Sequence, residues 1–137
     1  MPIANGSGGY QIGTGNASEP NMAPIDLPIS VTATATLTPA QIVNGLILAN
    51  SGITAAQTYT LPSVTDLELA FANMERVGTS FDFRVVNLGT SSGTAIIAAG
   101  TGWTISGSLT MTIPVTTGAL LVARKSAAGA WTLYRVT

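Results

Sequence analysis

The sequence contains no cysteine and no histidine. Without cysteine, disulfides and thiolate chemistry are excluded, and the redox compartment leaves no mark on the chain. Without histidine, an imidazole general base, a Ser-His-Asp triad and imidazole metal ligation are excluded as well. Charge is scarce: 8% of residues carry one, against roughly 25% in an average soluble domain. Five basic residues face six acidic ones and form no basic run, so nucleic-acid binding driven by phosphate contacts has no support. The calcium-loop pattern D-x-[DN]-x-[DN] does not occur. Apolar runs such as Ala119–Ala123 and Leu46–Ala49 are far too short to span a bilayer. Met1–Tyr10 has neither the basic n-region nor the apolar h-region of a secretory signal. The expectation is a protein made in the cytoplasm, with no cofactor, no nucleic-acid partner and no membrane partner.

What is present is apolar and hydroxylic. Hydrophobic residues make up 46% of the 137 positions, enough to build the core of one domain. The surface must then be covered largely by Thr, Ser, Asn and Gly, which supply little repulsion to keep copies apart. Such a surface is expected to be covered by protein partners.

The first 28 residues differ from the rest. Pro2, Pro20, Pro24 and Pro28 interrupt them and five glycines loosen them, while Ile3, Tyr10, Ile12, Met22, Ile25 and Leu27 follow no period of 2 or 3.6. Ordering a backbone residue costs roughly 1–2 kcal/mol. Burying six such side chains returns about 1.5–3 kcal/mol each. Residues 1–28 are therefore read as an extended N-terminal arm held by something else, with those six side chains as its partner-binding contacts.

From Ile29 the pattern becomes alternation. Every odd position from Ile29 to Leu37 is apolar and every even one is Ser or Thr, which predicts one half-buried strand. Thr38, Pro39 and Gly45 then bracket a short helical turn. Strands are expected over Leu46–Asn50, Gln57–Leu61, Ser80–Asn87, Thr94–Ala99 and Trp103–Ile105, then around Met111, and in a final hairpin of Ala119–Lys125 with Ala130–Val136. Val64, Leu67, Phe71 and Met74 fall at helical spacing, predicting a helix over Ser63–Met74 with a Thr65/Glu68 capping box. About eight short strands separated by turns predict an all-β, jelly-roll-like sandwich over residues 29–137, with one short helix.

Nothing in the sequence assembles a catalytic set. Asp66 and Glu68 point to different sides of the helix start, where acids suit its dipole. Asp82 and Arg84 share a strand face and read as a surface pair. Gly6-Ser-Gly8-Gly9 and Gly13-Thr-Gly15 lack the preceding strand and following helix of a phosphate cradle. Trp103, Trp131, Tyr59 and Tyr134 are aromatics in alternating strands, which are usually core rather than a sugar platform. The chain is read as a non-enzyme.

Leu37-Thr-Pro-Ala-Gln-Ile-Val-Asn-Gly-Leu-Ile-Leu, then Tyr59-Thr-Leu-Pro, a helix, Gly78-Thr-Ser-Phe-Asp-Phe-Arg-Val-Val-Asn, Ala99-Gly-Thr-Gly and Trp131-Thr-Leu-Tyr-Arg follow one another in that order. Together they resemble the capsid decoration, or cement, proteins of tailed bacteriophages, over about Leu37 to Arg135. The resemblance implies a structural virion protein on the outer capsid surface. Its partner would be the major capsid protein, whose neighbouring subunits it clamps against internal DNA pressure. It also implies self-association, with a homodimer favoured over a homotrimer. The alternative is a tail-fibre or receptor-binding knob that recognises a host-surface ligand.

Overall fold

Residues 26–106 and 110–136 are described by the computed structural model. The alternating run that opens the domain does not stay in one strand. It divides into β1 (Ile29–Val31) and β2 (Ala35–Thr36), which lie in different sheets. Thr34 holds the corner between them. Its amide and hydroxyl donate to Gln57 Oε1 at 2.8 and 2.9 Å, and its Oγ1 accepts from the Thr58 amide at 3.0 Å. Alternation continues unbroken through such a bend, so it predicts one strand where the chain makes two.

The same crossing happens twice more. After β2 comes α1 (Pro39–Val43), whose Thr38 cap and Gln41 side chain form a reciprocal capping box. Strand β3 (Leu46–Ala49) then lies beside β1, and β4 (Gln57–Thr60) beside β2. Helix α2 (Val64–Ala70) leads to β5 (Ser80–Asn87) beside β3, and β6 (Ala95–Ala98) beside β4. All four of these pairings are parallel. The chain thus winds through three coils, each giving one strand to each sheet. Parallel neighbours need a long crossover, and here the opposite sheet together with a short helix or loop supplies it.

The remaining strands close the molecule differently. β7 (Trp103–Ile105), β8 (Thr110–Ile113), β9 (Gly118–Ala127) and β10 (Ala130–Arg135) complete a six-stranded sheet, β1-β3-β5-β9-β10-β7, and a four-stranded one, β2-β4-β6-β8. β8 pairs antiparallel with β6, and β9 antiparallel with β5 and β10. The described residues therefore form an all-β, two-sheet sandwich of ten strands with two short helices.

Inward-facing columns build the core across the coils. Ile29, Ile47, Val85 and Ala119 stand in register in one sheet, and Ala35, Tyr59, Ile97 and Met111 in the other. At the far end Trp131 packs between Phe81 and Trp103, with ring centroids 5.6 and 5.9 Å away. Helix α2 is shorter than its apolar spacing predicts and starts from a different cap. Ser63 Oγ accepts from the Asp66 amide at 3.1 Å, and Phe71 is already extended at the C-cap. Met74 still reaches the core from beyond the helix, so the spacing reported burial rather than helix length.

Candidate functional site

Two polar clusters sit inside the apolar frame, and both serve the fold. At the corner where the coils pass between sheets, Asn50 and Asn87 are fully buried. Asn50 Nδ2 donates to the carbonyls of Gly93 and Thr94 at 2.7 and 2.9 Å. Asn87 Nδ2 donates to those of Gly93 and Ile113 at 3.0 and 2.8 Å, and its Oδ1 accepts from the Gly89 amide. Tyr59 donates its hydroxyl to Asn50 Oδ1 at 2.5 Å, and burial pushes that hydroxyl's pKa up. Gly93 is needed at this corner because a Cβ there would lie 2.4 Å from the Ile53 carbonyl oxygen. The second cluster joins buried Lys125 to Glu68 and Trp131. No buried side-chain nitrogen or oxygen among the described residues lacks a partner, as the cost of an unpaired buried polar group requires.

The acids form no paired site. Asp66 accepts from the Ser63 hydroxyl. Glu68 accepts from Lys125 and Trp131, and these two hydrogen bonds, Lys125 foremost, hold its carboxyl below the usual carboxylate range. The capping box expected of Glu68 with Thr65 is replaced by this contact. Among the described residues no three acids cluster where a metal ion would fit. Tyr59, Trp103 and Trp131 are buried, whereas Tyr134 is 40% exposed.

The surface offers two features instead. The first is the edge formed by β1 and β2, the terminal strands of their sheets. Natural edges are blunted by charge, proline or bulges, yet Ile29–Thr38 contains no charge and no proline. Ile29 and Val31 are only half-buried and Ala33 and Ala35 are exposed, because the inner columns end there. No further strand among the described residues pairs with this edge. Just before β1, where Leu27 sits in a bend, the Leu27 carbonyl accepts from Asn44 Nδ2 at 3.3 Å, alongside the start of β3. Leu27, one of the six expected arm contacts, exposes 86% of its surface. Ile3, Tyr10, Ile12, Met22 and Ile25 lie outside the described residues.

The second feature, which alternation alone did not single out, is the outer face of the six-stranded sheet. Leu46, Arg84 and Leu120 share one row across the strands, extended by Val136, whose amide donates to the Leu120 carbonyl. Asp82, Val122 and Tyr134 form the next row. The apolar members are half-buried or exposed, and Asp82 and Arg84 are exposed without an ion-pair partner among the described residues. Beside them Gly118 floors a cavity of about 330 Å³ walled by Arg84, Val86 and Leu120. A Cβ at Gly118 would meet nothing closer than 3.4 Å, so neither backbone nor packing demands glycine there.

No helix among the described residues is long and apolar enough to cross a membrane. The sequence matches no protein-family model, and searches of curated proteins and solved structures find no match to it. Its functional reading therefore rests on the chain's own residues: an open strand edge, and a sheet face of apolar side chains around one acid and one base.

Proposed function

We propose that this chain is a structural virion protein, a capsid decoration protein that binds the outer surface of a major capsid protein shell and clamps neighbouring subunits. The observation that carries the reading is the β1–β2 edge, formed by the terminal strands of both sheets and free of charge and proline from Ile29 to Thr38. An open edge of this kind suits recognition by strand addition, in which main-chain hydrogen bonds give affinity and alternate side chains give specificity. The weakly charged, hydroxyl-rich surface supports the same reading, as does the ordered run of motifs from Leu37 to Arg135. Repetition over a shell makes many modest contacts effectively permanent.

Co-sedimentation of the purified chain with capsids tests it. The expected result is binding at a fixed ratio of copies per capsid subunit, lost on deletion of residues 1–27 while the circular-dichroism signature of the sheets persists. Full binding by the truncated chain would remove the arm from the mechanism. A folded chain that ignores capsids and binds a glycan on an array would instead make it a fibre-knob domain.

A further inference from the structure

The outer face of the six-stranded sheet is self-complementary, and we infer that it is the contact surface for a second copy of this chain. The inference stands apart from the decoration reading, since it concerns the purified protein alone.

Two sheets packed face to face lie roughly 10 Å apart with strands nearly aligned. Let a two-fold axis run between two such faces, across the strands, at the level of Phe83, Leu121 and Arg135, which are partners in one row. The axis then lays the row of Arg84, Leu120 and Val136 over the row of Asp82, Val122 and Tyr134 of the second copy, and the reverse. On β5, β9 and β10 the three juxtapositions match. Arg84 meets Asp82, Leu120 meets Val122, and Val136 meets Tyr134.

An isologous contact needs this property, because every residue pair across a two-fold axis occurs twice. Asp82 and Arg84 each have an exposed side chain with no ion-pair partner among the described residues. The same operation sets Gly118 opposite Arg124 of the second copy. The open hollow over Gly118 leaves room for that side chain.

Charge reversal tests this directly. Sedimentation or light scattering of the full chain is expected to give twice the 13.9 kDa chain mass. Asp82→Arg places two arginines opposite each other at both contacts, and Arg84→Asp places two aspartates there. Each variant is expected to fall to the single-chain mass. Mixing the two restores Arg-to-Asp contacts at both positions, so the mixture is expected to regain the double mass, as is the doubly swapped chain. A wild-type monomer or trimer overturns the inference, and so do single reversals that keep the double mass or a mixture that stays monomeric.

If a reversal unfolds the sheet, cysteine pairing decides, since the chain has no cysteine of its own. A short bis-maleimide, whose reach spans the gap that a disulfide cannot across sheets roughly 10 Å apart, should cross-link Leu120→Cys chains to Val122→Cys chains, and neither to itself. Equal cross-linking in all three combinations would overturn the assignment.

Discussion

Lys125 Nζ lies 2.6 Å from Glu68 Oε1, and this ion pair fastens helix α2 to the inner side of strand β9. Lys125 is 5% exposed and also donates to the Met74 carbonyl, while the Trp131 indole donates to the same Glu68 oxygen. One carboxylate thus satisfies a buried ammonium and a buried indole together.

The two partners are expected to respond unequally to mutation. Glu68→Ala strands Lys125 in the core, and breaking a buried pair this way costs about 3–5 kcal/mol. The lower end applies, because the Glu68 side chain is 26% exposed and water partly screens the pair. Lys125→Met keeps the aliphatic stem and leaves a carboxylate that can turn to water, so its cost should be about 1 kcal/mol, the scale of one net hydrogen bond. Urea denaturation of the two variants checks the order.

The pH dependence follows from the same pair. The Glu68 carboxyl titrates lower in the folded chain than in the unfolded one, so its stabilising effect is present above the unfolded carboxylate range. That effect disappears as pH falls through the folded value. With no histidine, no side chain with an ordinary pKa between 5 and 8 is present. Tyr59 adds the opposite limb: its hydroxyl titrates higher when folded, so stability falls as pH rises beyond the ordinary tyrosine value. Melting temperature against pH should show a plateau with losses at both ends, and Glu68→Gln should flatten the acid limb.

Asn87 is expected to matter more than its size suggests. Asn87→Ala leaves the Ile113 carbonyl and the Gly89 amide without their side-chain partner. At about 1–3 kcal/mol for each of the two groups left buried and unpaired, the loss should be roughly 2–6 kcal/mol. Tyr59→Phe leaves Asn50 Oδ1 without its donor and should cost less, about 1–2 kcal/mol. Thermal unfolding of the two variants gives the comparison.

Gly118→Ala should stabilise the isolated chain. The new methyl meets only ordinary contacts, and glycine inside a strand gives up about 0.5–1 kcal/mol relative to alanine. A raised unfolding midpoint in dilute solution is the expected outcome.

Much of this architecture is legible in the residues themselves. Ser80–Asn87 alternates as a strand should and forms one with those limits, and Thr38 and Pro39 start a helix where their chemistry says they will. These features follow from local physics, namely a side-chain period of two and the orphan amides of a first turn. The two-faced character of Asp82 and Arg84 against Phe83 and Val85 belongs to the same class.

The partners of each strand belong to another. Ile29–Leu37 reads as one strand but joins two sheets, because alternation records only that a strand has two faces and not which neighbour its amides meet. The parallel coils, the burial of Asn50 and Asn87, and the pairing of Glu68 with Lys125 across 57 positions of sequence arise from contacts between distant segments. The sequence by itself determined most of the extended segments and which of their faces are apolar. Only the tertiary structure decided which strands lie side by side, since hydrogen-bond partners are chosen by the closing of the core. That choice set Arg84 and Leu120 in one row and Asp82 and Val122 in the next.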